Sequence, residues 1–196
     1  MPRLPDPALE SHVIAAALRL LDHGGESAIT ARAVAKEAGT TTPTLYGRFP
    51  SRDALMRKLV NHATEEIVAT VAPMKSIEEI FREYLRYSEA HPNRLDLMVR
   101  TFGERFVAGE KMPAYDLLKL RIQEQIGIRG RSCEDLALAI ASLAFGTAQG
   151  VIASGGKTRQ AADFRRASLD ALRMLLGAFS PVKKARPKGR LKRLRK

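Results

Sequence analysis

Apolar residues recur at steps of three and four positions along nearly the whole chain, which is the spacing of one face of an α-helix. The first segment, residues 7–23, shows this as a stripe formed by Leu9, Val13, Ala16, Ala17, Leu20 and Leu21. No segment has the sustained alternation of apolar and polar residues that is typical of strands, and no internal repeat is present. The pattern predicts an all-α fold.

Glycine and proline residues separate the predicted helices, and hydroxyl side chains precede several of them. We expect Thr30 and Ser51 to be N-caps, and Thr42 to cap the helix that contains Pro43, with Thr41 as the alternative. Two lobes should be joined by the helix that begins at Ser51. Helices are predicted at residues 7–23, 30–38, 43–49, 51–73, 76–90, 92–107, 113–126, 132–154 and 158–179.

Residues 30–49 have the spacing of a helix-turn-helix, with two short helices on either side of a tight turn at residues 39–41. In such a motif the second helix presents its outer face to the DNA major groove. Leu45 and Phe49 should point inward. The positions expected to face outward are Thr42, Thr44, Tyr46, Gly47 and Arg48.

These outward side chains have the chemistry of a DNA-contacting surface. Threonine hydroxyls can donate hydrogen bonds to phosphate oxygens, a threonine methyl can touch thymine, and Arg48 can pair with guanine or with phosphate. Short helices rich in Ala, Thr and Gly also occur in proteins that do not bind DNA, so the spacing alone leaves both interpretations open.

The residues themselves are more specific than their spacing. The segment AITARAVAKEAGTTTPTLYGRFPSRDALM, residues 28–56, resembles the DNA-binding motif of the tetracycline-repressor (TetR) family of bacterial transcription regulators. The resemblance covers about residues 7–67. It departs from the usual pattern at Pro43, where the family often has Gly, and at Arg52, where it often has Lys.

The resemblance implies an N-terminal three-helix DNA-binding domain, residues 7–67, and a larger helical ligand-binding and dimerisation domain, residues 68–181. It further implies that Thr30 and Arg32 contact phosphate or a base edge, and that Arg52 clamps the DNA backbone. Tyr46 would bond a phosphate through its hydroxyl. The major-groove face would be lined by Thr41, Thr42, Thr44 and Gly47.

The implied function is that of a homodimeric repressor in the bacterial cytoplasm. It would bind a pseudo-palindromic double-stranded operator and be released by a small, largely apolar effector. An alternative is a DNA-binding adaptor or structural protein that acts through a protein partner and needs no ligand.

Basic residues are concentrated at the end of the chain. Lys and Arg number 33 against 21 Asp and Glu, a net charge of +12, and residues 182–196 carry nine basic side chains and no acidic one. Such charge density with few apolar residues predicts a disordered tail. The tail could contact nucleic acid or an anionic membrane, or serve only solubility.

Residues 136–153 are apolar almost all round, and the run is as long as a minimal membrane span of ~18–20 residues. Ser142, Thr147 and Gln149 interrupt it and no aromatic belt flanks it, so we expect a helix buried on two sides and no membrane contact. Its second side would meet a partner subunit, which gives a dimer seam formed by helices 132–154 and 158–179. The small residues expected to allow close approach are Ala139, Gly146 and Gly150, and the following helix would add Phe164, Leu172, Leu175, Leu176 and Phe179.

A ligand pocket is expected between the middle helices, although plain core packing would explain the same large apolar residues. The candidate lining residues are Phe81, Tyr84, Leu85, Met98, Phe102, Phe106, Leu118, Ile122, Phe145 and Gln149.

Residues suited to catalysis do not cluster in the sequence. The chain has no phosphate-binding Gly-rich loop, and Cys133, its single cysteine, has no neighbouring base and suits a reducing compartment. The histidines, His12, His23, His62 and His91, fall in no metal-ligand spacing. We therefore expect neither an enzyme nor a cofactor or metal.

Overall fold

The computed structural model describes residues 7–179, and all the regular structure within that range is helical, which confirms the all-α prediction. A short 3-10 turn at Glu26–Ala28 was not predicted. The basic segment 182–196 lies outside the described residues. The helices are α1 (Pro7–Gly24), α2 (Ala31–Glu37), α3 (Thr42–Arg48), α4 (Arg52–Val71), α5 (Ile77–Ala90), α6 (Pro92–Val107), α7 (Pro113–Ile126), α8 (Gly130–Ala153) and α9 (Arg159–Phe179).

Two of the predicted N-caps are confirmed. Oγ1 of Thr30 accepts a hydrogen bond from the backbone N–H of Ala33 at 3.2 Å, at the start of α2. Oγ of Ser51 accepts one from the N–H of Ala54 at 3.1 Å, at the start of α4. Each cap satisfies a donor that the first helical turn would otherwise leave unpaired.

The cap of α3 is Thr41, so the prediction of Thr42 is wrong. Thr41 is extended (φ −109°, ψ 154°), and its Oγ1 accepts the N–H of Thr44 at 3.3 Å. Thr42 and Pro43 both lie in the first turn, where the N–H that proline lacks would have no partner within the helix. The steric bias on the residue before a proline is weaker here than the gain from this cap.

The N-terminal lobe consists of α1, α2, α3 and the first half of α4. Its core is a cluster of apolar side chains, to which α6 contributes Leu97. The largest members are Leu18, Leu21, Ile29, Leu45, Phe49, Leu55, Met56 and Leu59. The N-terminal lobe therefore shares part of its core with α6.

The C-terminal lobe is built around α8, which packs against α5, α7 and α9. The buried face of α8 includes Leu136, Ile140, Ala144 and Val151. By length and composition α8 could cross a membrane, but a core helix of a soluble protein meets the same criteria. Its packing against these three helices buries one side, as expected, while the side that carries Ser142 and Gly146 is exposed in the single chain.

Gly150 of α8 faces its own chain and not an open surface. A Cβ added at Gly150 would lie 2.8 Å from the nearest ring atom of Phe164 on α9, whereas one added at Gly146 would meet nothing within 4 Å. Because Gly150 has no side chain, the Phe164 ring can pack against the backbone of α8 there. A partner subunit could approach α8 closely at Gly146 but not at Gly150.

A buried arginine joins the two lobes. Arg94 of α6 donates from Nε to Oδ1 of Asp22 at 2.8 Å and from Nη2 to Oδ2 at 2.6 Å, and it also pairs with Glu66 of α4. Burial disfavours its charge, but the hydrogen bonds with Asp22 and Tyr87 outweigh burial and raise the pKa of Arg94 above its usual range. The ends of α1 and α6 are thereby held together.

A second charged link connects α5 to α9. Nη2 of Arg173 lies 2.7 Å from Oε1 of Glu78, and Arg82 contacts the same oxygen at 2.7 Å. Hydrogen bonds from Arg173 and then Arg82 lower the pKa of Glu78 from 4.5 to about 2.

This link predicts an acid-dependent contribution to stability. Since the pKa of Glu78 is lowered by folding, its contribution is fully present above about pH 5 and is lost as pH falls from there towards 2. Glu78→Gln should therefore be less stable than the native chain at pH 7, and the difference should shrink towards zero near pH 2. Urea unfolding at a series of pH values measures it.

The matched control is Glu65→Gln, which removes an exposed carboxylate of α4 that has no ion pair among residues 7–179. A difference between Glu78→Gln and the native chain that stays constant from pH 7 to pH 2 would contradict the assignment.

Candidate nucleic-acid interface and ligand cavity

The helix-turn-helix is held from inside by a few apolar side chains. Val34 and Ala35 bury the inner face of α2, and Leu45 and Phe49 bury that of α3, as predicted. The turn between the helices passes through Gly39 at φ 63°, in the left-handed region that glycine adopts without strain. The outer face of α3 is thereby fixed in direction by the core behind it.

The outer face of α3 is available to a macromolecule. Tyr46 is 51% exposed, which is a large fraction for an aromatic side chain. Thr44 and Gly47 are exposed beside it, and a Cβ at Gly47 would meet nothing within 4 Å. Thr42 is half-buried. The surface is small and polar around one protruding aromatic side chain.

Two of the predicted DNA-contacting threonines also serve as caps. Oγ1 of Thr30 and Oγ1 of Thr41 each accept a backbone N–H, which leaves their hydroxyl protons to be donated elsewhere. Oγ1 of Thr41 lies 2.9 Å from Oγ1 of Thr44, so one of these two hydroxyls donates to the other. A cap and a phosphate contact are therefore compatible at Thr30, and Thr41 and Thr44 act as a pair.

The basic side chains of this surface differ in whether they already interact with acidic groups of the protein. Arg32 is exposed and, within residues 7–179, has no ion pair. Lys36 lies one turn further along α2, is equally exposed, and was not among the predicted contacts, although its i, i+4 spacing from Arg32 could have indicated it. Arg48 is half-buried and helps Lys58 to lower the pKa of Glu10.

Arg52 is engaged within the protein. Its Nη1 lies 2.9 Å from Oε1 of Glu26, and its Nη2 donates to the Glu26 carbonyl oxygen at 3.2 Å. Arg100 of α6 pairs with the same carboxylate at 2.6 Å. Hydrogen bonds from Arg100 and then Arg52 lower the pKa of Glu26. A phosphate contact by Arg52 would have to share the guanidinium with this bridge.

A cavity of about 110 Å³ lies between α4, α5, α6, α7 and α8. Its wall is almost entirely apolar. Of the predicted lining residues, the structure brings together Phe81, Tyr84, Met98, Phe102, Leu118 and Phe145.

The other candidates lie elsewhere. Ile122 and Leu85 are buried in the core beside the cavity, Gln149 is exposed on α8, and Phe106 is 39% exposed at the end of α6. Periodicity identifies a buried face but does not distinguish side chains that fill a core from those that border a space.

The contribution of α4 to the cavity was not predicted. The sequence pattern marked α4 as a connecting helix, yet its second half faces the space. The apolar spacing of Ile67 and Val71 was the available signal. The lining residues outside the predicted set are Val60, Thr64, Ile67, Val71, Ile77, Ile80, Arg105, Met112, Ala114, Tyr115, Ile140, Ala141 and Ala144.

Similarity to known proteins agrees with this geometry. The sequence model described as bacterial regulatory proteins, tetR family, matches residues 13–59, which span the helix-turn-helix and most of the lobe around it. Residues 13–59 therefore have the sequence pattern of the TetR family's N-terminal segment. This match supports a DNA-binding transcriptional regulator. No curated protein matches the chain significantly.

Solved structures share the whole TetR fold at low sequence identity. A TetR-family transcriptional regulator from Streptomyces coelicolor is 17% identical with a TM-score of 0.67, over 87% of this chain and 99% of that one. The multidrug binding protein EbrR complexed with imidazole is 20% identical with a TM-score of 0.68, over 94% and 96% of the two chains. A TetR variant from Acinetobacter baumannii AYE in complex with minocycline is 18% identical with a TM-score of 0.63, over 90% and 97%.

The exposed hydroxyl of Tyr46 makes a specific prediction for DNA binding. Tyr46→Phe should weaken binding to specific DNA by roughly 1–2 kcal/mol, the scale of a hydrogen bond to a charged group, and should leave the unfolding free energy unchanged. Fluorescence anisotropy with labelled DNA and urea unfolding measure the two quantities. Tyr87→Phe is the control, since the Tyr87 hydroxyl donates to Glu66 at 3.1 Å inside the protein. This variant should lower the free energy of unfolding and not the affinity for DNA. Equal affinity of native protein and Tyr46→Phe would remove Tyr46 from the interface.

Proposed function

We propose that this protein is a homodimeric repressor of the TetR family, which binds a pseudo-palindromic operator and is released when a small, largely apolar molecule enters its cavity. The observation that carries the proposal is the pairing of an exposed α3 face with an apolar cavity in one chain, joined by α4. The proposed DNA contacts are Thr30, Arg32, Thr41, Thr42, Thr44, Tyr46, Gly47, Arg48 and Arg52. The proposed domains are residues 7–67 for DNA and 68–181 for ligand and dimer.

The outward faces of α8 and α9 support the dimer. On α8 they carry small residues at Ala139, Ser142 and Gly146. On α9, Phe164 is 44% and Met174 70% exposed, in one apolar stripe. Such a stripe beside small side chains is suited to close helix packing across a two-fold axis. Two recognition helices would then meet successive major grooves.

The charged links between the lobes support coupling of ligand to DNA binding. The second half of α4 borders the cavity, and its first turn follows α3 directly. Arg94 and Arg100 fasten α6, another cavity wall, to Asp22 and Glu26 in the N-terminal lobe. A ligand that spreads α4 from α6 would therefore change the direction of α3. Release requires only that ligand and operator favour different conformations.

The operator is tested by selection from random double-stranded DNA, followed by footprinting of the selected sites. The proposal expects inverted half-sites whose centres lie about one helical turn or a multiple apart. Operator affinity should fall steeply with salt, with a log–log slope of about −0.9 per phosphate neutralised. Selected sites without two-fold symmetry, or no enrichment of any sequence, would overturn the proposal.

The dimer seam is tested by Gly146→Leu. The added side chain has room within the chain but would enter the space that a partner needs, and overpacking of a close interface costs ~1–3 kcal/mol. We expect the dimer dissociation constant to rise about 5- to 150-fold in sedimentation equilibrium. Gly103→Leu on the exposed side of α6, where an added Cβ also meets nothing within 4 Å, should leave it unchanged. A native chain that is monomeric at micromolar concentration would exclude the seam.

A further inference from the structure

Tyr84 is one of the residues that line the apolar cavity. Its Oη is buried and, within residues 7–179, has no hydrogen-bond partner, while the Ser88 hydroxyl donates to the Tyr84 carbonyl oxygen at 2.7 Å. Burial raises the pKa of Tyr84. The hydroxyl is therefore protonated at neutral pH and is able to donate. A buried donor without an acceptor is unfavourable, so an oxygen brought by a ligand would gain the hydrogen bond and remove that penalty.

The other polar groups of the cavity wall already have partners. Thr64 and Tyr115 donate their hydroxyl protons to main-chain carbonyl oxygens at 2.7 and 3.2 Å. Arg105 is paired with Glu110 at 2.8 Å. The wall consequently offers a ligand one directional contact and no uncompensated charge. A ligand that carried a charge into this space would leave it buried and unpaired.

Aromatic rings form a continuous part of the same wall. The ring of Tyr84 lies 6.0 Å from that of Phe145, which lies 5.0 Å from Phe102 at an angle of 76°. Phe102 in turn lies 6.2 Å from Tyr115 at 77°. Rings set edge to face present both faces and edges to the space, which suits a flat apolar body.

We propose that the cavity selects an uncharged, predominantly apolar molecule with one carbonyl-type oxygen that accepts the hydrogen bond of Tyr84. This deepens the proposed function and rests on it, because it names the chemical class of the effector. The apolar body supplies most of the affinity, and Tyr84 supplies the preference for the oxygen.

Three probes of nearly equal shape separate these contributions: 2-acetylnaphthalene, 2-isopropenylnaphthalene and 2-naphthoate. They carry a ketone, an alkene and a carboxylate on the same ring system. Titration calorimetry of the full-length native protein should show the ketone binding roughly 3- to 10-fold more tightly than the alkene, the scale of one net hydrogen bond. The carboxylate should bind most weakly of the three.

Tyr84→Phe should abolish or reverse the preference of ketone over alkene while the alkene retains its affinity. Tyr87→Phe is the matched control, since it removes a hydroxyl that donates to Glu66 at 3.1 Å on a tyrosine that does not line the cavity, and the preference should persist. The order of the three probes on the native protein provides a test that does not depend on how either variant folds. Equal binding of ketone and alkene, tightest binding of the carboxylate, or no binding of any probe would overturn the proposal.

Operator binding measured alongside distinguishes the two proposals. If the protein binds its operator but the ketone neither binds nor weakens that complex, the effector class fails and the DNA-binding proposal stands. If no operator is bound yet the ketone preference depends on Tyr84, the effector class stands and the repressor proposal fails.

Discussion

A guanidinium group buried between two lobes must find carboxylates on both sides of it, and Arg94 finds Asp22 and Glu66. Unpaired, this charge would be strongly destabilising, so the end of α1, the start of α6 and the second half of α4 have little freedom to separate. Asn93 adds hydrogen bonds to the last carbonyl oxygens of α1, at 2.9 and 3.1 Å. This junction constrains both the direction of α3 and the shape of the cavity, because α4 and α6 border the cavity and support the lobe that contains α3.

Local patterns predicted the helices well because each boundary is set by a few adjacent residues. Ser51 before a helical stripe, or His91 before Pro92, is sufficient to place an end. The error at Thr42 arose where two local preferences compete, and only the energies of the cap and of the residue before proline decide between them. The predicted all-α architecture of two lobes therefore needed no long-range information.

The candidate site was predictable only in part. The outer face of α3 follows from residues within one helical turn, but the ion pairs that connect the site to other helices join residues far apart in the sequence. The inward Leu45 and the outward Tyr46 follow from helical periodicity within a single turn. The bridge from Arg52 through Glu26 to Arg100 joins positions 26 and 74 residues apart, and no spacing rule reaches that far. The border between filled core and open cavity is equally a property of the packed whole.

The contact between Gly150 and the Phe164 ring joins α8 to α9 by close packing and not by charge. With the Phe164 ring seated against the backbone of α8, sliding α9 by one turn would drive that ring into neighbouring side chains. The outer surface of the α8–α9 pair consequently has a single fixed pattern of ridges and hollows. In the proposed dimer, subunits that packed through this surface would move relative to each other as rigid bodies, by rotation about the seam.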